Sequence, residues 1–195
     1  MRISVLSNIN SIFNSVTYRI GQILVDPGDE FYGFQNIKAV LLTHAHFDHI
    51  YGLNRVVELN RDCMVFTNQA GADMLADPRR NLSKYHESPF IFQYPQKIKI
   101  VKEGDFMEVD GLNVKVYETP GHNPSCLTFI INDNVFSGDA YIPGIKTITN
   151  LPDGNQEQAL VSMRRIVVLA EGKALHPGHP RLKILGPDRR PLPSR

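Results

Sequence analysis

The sequence predicts an α/β chain in which two β-sheets pack together with helices outside. Short segments rich in β-branched and aromatic residues fill an N-terminal half and return in a C-terminal half. Helical periodicity intervenes between the two halves and reappears near the end. Residues 37–42 form a continuous apolar run, suited to a strand buried on both faces.

In chain order, residues 3–6, 12–20 and 22–25 read as strands, closed by the turn chemistry of Asp26-Pro27-Gly28-Asp29. The apolar run at 37–42 is the next strand. Ile50, Leu53, Val56, Val57 and Asn60 then recur at three-to-four spacing, predicting a single helix whose first turn holds Asp48 and His49. Residues 63–67 read as a strand and 69–76 as a helix. Residues 77–96 carry Pro78, Pro89 and Pro95 amid Tyr85, Phe90, Phe92 and Tyr94, an irregular loop of unusual apolar content. Strand signals return at 98–101, 106–109, 112–118, 127–131 and 135–137, with Asp110-Gly111 and Asn132-Asp133-Asn134 as hairpin turns. Ala159, Leu160, Met163, Ile166, Val167 and Ala170 mark the clearest amphipathic helix, and Ala174-Leu175 opens a last strand.

Composition narrows the classes. A chain of 195 residues with 42% hydrophobic content builds one sizeable core, so a single domain over 1–195 is expected, with a flexible tail from about residue 186. Lys plus Arg (21) nearly balances Asp plus Glu (20), which argues against a nucleic acid or an anionic membrane as partner. Two cysteines, Cys63 and Cys126, make no disulfide framework and fit a reducing cytosol. No apolar run is long enough to span a bilayer, and the N-terminus turns polar too early for a signal peptide, so a cytoplasmic protein is expected.

The chemistry is concentrated in His44-Ala45-His46-Phe47-Asp48-His49, directly after the apolar run. Imidazole and carboxylate are ligands for divalent metals. In an extended segment His44 and His46 point the same way, while Asp48 and His49 enter the helix and face a neighbouring position. The competing reading makes Asp48 a helix cap and the histidines part of a polar turn. Three His and one Asp in this pattern arise by chance in roughly one chain in a thousand or fewer, which favours the metal. His122 in Thr119-Pro120-Gly121-His122, Asp139 in Ser137-Gly138-Asp139 and His179 in Pro177-Gly178-His179 each follow a strand, where a side chain can reach a shared cleft.

This ordered series resembles the metal-site motifs of the metallo-β-lactamase-fold hydrolases, in the glyoxalase II-like branch. The resemblance spans nearly the whole chain and implies a four-layer αββα sandwich with the site along one edge of the sheets. It also implies that His44, His46 and His122 hold one metal, that Asp48, His49 and His179 hold another, and that Asp139 bridges them. His179 is preferred over His176 because the family places its ligand after Gly. His86 reads as a surface or rim residue rather than a ligand, and Cys126 as a small buried residue outside the ligand set. Asp139 stands where true metallo-β-lactamases commonly have cysteine, which argues against β-lactam hydrolysis. Asn123-Pro124-Ser125 replaces the more common Thr-Pro-Gly after the ligand histidine. Full glyoxalase II enzymes carry a helical C-terminal domain that helps bind glutathione, whereas this chain ends soon after His179.

The function implied is hydrolysis of a small thioester, lactone or other ester-like substrate by hydroxide held between two divalent ions, with Asp48 orienting it. Nitrogen and oxygen ligands without thiolate suit zinc, and also permit iron or manganese. The alternative is the chemistry of the superfamily's persulfide dioxygenases, with one iron at His44, His122 and Asp139; a nuclease ranks lower, since the chain is short and near neutral. Two substrate contacts are expected: an apolar rim including Phe90 and Phe92, and Lys146, after Asp139, as a carboxylate binder. The substrate and the oligomeric state are left open by the sequence.

Overall fold

The computed structural model describes residues 2–7, 15–29 and 34–180. The expected tail from about 186 and the start of the strand at 12–20 lie outside these residues.

One sheet has six strands in chain order: β1 (Ile3–Ser7), β2 (Val16–Ile20), β3 (Ile23–Val25), β4 (Ala39–Leu41), β5 (Met64–Thr67) and β6 (Ile98–Ile100). The first three pair antiparallel, and β3 through β6 run parallel. The second sheet contains β7 (Phe106–Val109), β8 (Leu112–Glu118), β9 (Leu127–Ile131), β10 (Asn134–Gly138) and β11 (Ala174–Pro177), in the order β11-β10-β9-β8-β7. Only its β10–β11 pair is parallel.

Strand alternation explains the layering. Ile23, Val25, Ala39 and Leu41 face the second sheet and join Val114, Val116, Leu127, Phe129 and Phe136 in an inter-sheet core. The intervening Leu24 and Val40 point the other way, into a core shared with Leu53, Val56, Val57, Met74 and Leu75. Those residues come from α2 (Leu53–Leu59) and α3 (Gln69–Leu75), which cover the outer face of the first sheet. Against the second sheet lies α4 (Gln156–Leu169), whose Ile166 packs with Cys126 and Ala140. The four layers are therefore helix, sheet, sheet, helix.

The single helix expected after the histidine cluster is divided. Its first piece, α1, spans Phe47–Ile50, and α2 begins at Leu53. The bond that would join them, from Gly52 N–H to the carbonyl of Asp48, is not made. Gly52 N–H instead donates to Pro27 O at 2.8 Å, and Asp48 O accepts the Ser15 hydroxyl. A Cβ on Gly52 would lie 2.2 Å from Asp29 O, so this approach to the turn after β3 requires glycine. Asp48 and His49 are thereby tied to β2 and β3 as well as to β4.

Candidate metal centre

The site residues converge because each follows a strand at the same edge of the sandwich. His44 and His46 follow β4, Asp48 and His49 occupy α1, His122 ends the turn after β8, Asp139 follows β10 and His179 follows β11. Helix α4 braces the His122 turn: Asn155, its N-cap, donates its N–H to Gly121 O at 2.7 Å, and the Ser162 hydroxyl donates to Pro120 O at 2.6 Å. His179 gets close because residue 178 has no side chain. A Cβ there would stand 2.2 Å from Asp139 Oδ1 and 2.9 Å from His49 Cε1.

Two three-ligand groups result. Ligand atoms of His44, His46 and His122 lie within 4.8 Å of one another, and so do those of Asp48, His49 and His179. Asp139 reaches toward both, with its carboxylate oxygens 3.8 Å from His122 Nε2, 3.6 Å from His49 Nε2 and 3.2 Å from His179 Nε2. Asp48 Oδ2 lies 3.3 Å from the same His179 nitrogen. Buried His44 Nε2, His49 Nε2 and Asp139 Oδ1 have no hydrogen-bond partner within the protein. Unpaired buried donors and acceptors are costly, and divalent cations at the two ligand groups would satisfy them. The nitrogen and oxygen donor set therefore fits such ions.

The electrostatics agree. Burial holds His44 neutral, its pKa well below the ordinary imidazole value, with His49 and His46 adding repulsion. Burial and then His122 bring His46 down to about 3. The two rings beside the carboxylates behave oppositely. Although burial opposes charge, Asp48 and Asp139 raise His49 to about 9, and hydrogen bonds to Asp139 and Asp48 raise His179 to about 11. Asp48 and Asp139 are held below the usual carboxylate range by these rings, against the effect of burial. This half of the site draws positive charge to itself, as protons or as metal.

A residue read only as part of a turn orders the site from behind. Asp26, buried and left-handed at φ +50°, accepts Thr43 N–H at 2.7 Å, the Thr43 hydroxyl and His49 Nδ1–H at 3.1 Å. It also forms a three-residue ligand group with His44 and His49, but its oxygens are already occupied by these donors, so its place is behind His49. Holding His49 Nδ1–H leaves Nε2 turned toward Asp48 and Asp139. The available signal was positional: Asp26 directly follows apolar β3, as Asp139 follows β10. Asn123 is a second supporting residue. Its oxygen accepts Ser125 N–H and hydroxyl at 2.7 and 2.6 Å, so its amide N–H faces His46 Nε2 at 2.9 Å.

Of the remaining candidates, His176, Phe90 and Phe92 are directed away from the centre, and Lys146 lies beside it. His176 stacks on Phe136, with ring centroids 4.8 Å apart, and its Nε2 contacts Asn134 Oδ1 at 2.9 Å. Phe90 and Phe92 are not a rim. They are 5% and 6% exposed and belong to the core with Leu53, Val56 and Met74. The loop is turned inward by its own bonds: Phe90 N–H donates to Ser83 Oγ at 2.8 Å, Phe90 O accepts from Asn81 Nδ2 at 3.1 Å, and Phe92 N–H donates to Leu75 O at 2.9 Å. It presents His86, whose ring lies over Phe47 at 4.0 Å. Lys146 lines a cavity of about 260 Å³ together with His122, Asp139, His179 and the apolar Ile142, Ile145 and Ile148.

A double-sheet sandwich bearing paired His/Asp ligand groups at one edge defines a class of metal-dependent hydrolases. The metallo-beta-lactamase superfamily profile matches residues 20–179, and the chain belongs to that superfamily. It is 33% identical over 168 residues to the probable metallo-hydrolase YqgX of Bacillus subtilis, covering 80% of this chain and 79% of that one. Its fold matches the crystal structure of the BLEG-1 B3 metallo-beta-lactamase with a TM-score of 0.82, at 23% identity and 92% coverage of each chain. It also matches TTHA1623, solved in a di-iron-bound form, with a TM-score of 0.73 at 25% identity and 92% coverage of each chain.

Proposed function

We propose that this protein hydrolyses a small ester-like substrate, a thioester or lactone, with two divalent metal ions. The observation that carries the reading is the convergence of His44, His46 and His122 and of Asp48, His49 and His179 on either side of Asp139, with buried donor atoms left unpaired. Nothing in this set discriminates strongly between zinc and iron, and the di-iron form of TTHA1623 gives iron weight beside zinc. When bound, the ions supply a water of lowered pKa and polarise the substrate carbonyl.

The chain's own residues supply the rest. Asp48, ionised at neutral pH, orients the attacking water and takes up its proton. The water oxygen bonds to the carbonyl carbon, the bond to the leaving thiolate or alkoxide breaks, and the proton passes to that leaving atom. His122 keeps its orientation through Nδ1–H donated to Ile148 O at 2.8 Å. Lys146 on the cavity wall pairs with a substrate carboxylate. Buried, unpaired Cys63 and Cys126 suit the cytoplasm, where we place the protein.

The test is elemental analysis of protein purified without added metal, followed by assays with zinc or iron on thioesters, lactones and a β-lactam, with oxygen monitored. Thioester or lactone turnover without oxygen uptake is expected. Oxygen uptake with a persulfide and an equimolar iron content would replace this reading with the dioxygenase one.

A further inference from the structure

The cavity beside the metal centre has a chemical character that the ligand set does not explain. Ile142, Ile145, Ile148 and Pro180 border it, and Lys146 is the one lysine or arginine among its lining residues. Ile148 leaves 52% of its surface exposed at the mouth, an apolar group held in water beside ionised ligands. The wall is also preformed. Ile145 N–H donates to Ile142 O at 3.1 Å, Thr147 Oγ1 donates to Ala140 O at 3.3 Å, and Ile148 O accepts from His122. β-Branched side chains on a segment pinned at three points lose little freedom when a ligand arrives.

We infer that this cavity takes a short alkyl arm of the substrate, laid on Ile142, Ile145, Ile148 and Pro180, while the reacting carbonyl meets His122, Asp139 and His179. The inference rests on the hydrolase reading and adds the substrate class: a compact ester or thioester with an apolar arm. A cavity of about 260 Å³ lies at the small end of ligand pockets, which suits a short arm.

The experiment measures binding of acetate, butyrate, isovalerate, hexanoate and decanoate to the metal-loaded protein by calorimetry. Their shared carboxylate cancels the head-group contribution, so differences report the arm. Affinity should rise about fourfold per added methylene through the first members, the equivalent of burying one CH2, and level off before decanoate as the cavity fills. Ile148→Ser, at a position exposed enough to tolerate the change, should flatten the series with metal content unchanged. A flat series in the unaltered protein, or one unaffected by Ile148→Ser, overturns the inference. Turnover is read separately with an acyl thioester panel. Turnover with a flat carboxylate series overturns the alkyl pocket alone, whereas a rising series without turnover supports the pocket and overturns the hydrolase reading.

Discussion

Asn123 Nδ2 sits 2.9 Å from His46 Nε2, with the Asn123 oxygen already holding two donors from Ser125. The amide therefore donates to His46 Nε2, which places the ring proton on Nδ1, the nitrogen 3.0 Å from His122 Nε2. Metal binding through Nδ1 must displace that proton. Asn123→Asp reverses the contact, because a carboxylate accepts from Nε2–H and raises the basicity of Nδ1. The variant should bind the metal held by His44, His46 and His122 about tenfold more tightly, the lower end of what such supporting groups contribute. Calorimetric titration of both proteins with zinc checks this; equal or weaker binding by the variant counts against it.

His179 and His176 lie three residues apart but in different surroundings. His179→Ala should lose metal, since its Nε2 faces both Asp48 and Asp139. His176→Ala should keep its metal and lose stability, because it removes the stack on Phe136 and the Asn134 contact. Parallel metal analysis and thermal unfolding separate the two, and greater metal loss in His176→Ala would reverse the assignment.

Phe90→Ala and Phe92→Ala should each cost about 3 to 5 kcal/mol of stability through the cavity left in a buried cluster. At temperatures where the variants remain folded, KM should stay close to that of the unaltered protein. Urea unfolding beside initial rates tests this, and a raised KM with intact stability would restore the rim.

Metal-free protein should be most stable near pH 6.5. Below that value the unfolded chain protonates His44 and His46 while the fold keeps them neutral, so stability falls with falling pH. Ionised Asp48 and Asp139 act in the same direction at lower pH, their contribution being lost as pH falls through their depressed values. Above about 6.5 the unfolded chain releases the protons that the fold retains on His49 up to about 9 and on His179 up to about 11, so stability falls again. Urea midpoints in chelator from pH 5 to 9.5 should pass through a maximum, and a steady rise across that range would contradict these charge assignments.

Lys146→Ala should weaken turnover of carboxylate-bearing esters at least tenfold more than that of neutral analogues, with metal content intact. Equal losses on both substrate types would remove the anion-binding role.

What the sequence determined by itself is local. Short runs rich in β-branched and aromatic residues marked nearly every strand within a residue or two, and the rare spacing of His44, His46, Asp48 and His49 marked the centre, because both signals are carried by neighbours along the chain. Tertiary structure decided what depends on distant partners. Phe90 and Phe92 look the same in sequence whether they line a rim or fill a core, and bonds to Asn81, Ser83 and Leu75 turned them inward. The helix after the cluster divides because Pro27 and Ser15 take the bond that would continue it. Asp26 stands behind His49 from 23 residues away, and Asn123 meets His46 across 77. Strand periodicity places a residue at the end of a sheet; only the packing of one sheet against the other determines which side chains it meets there.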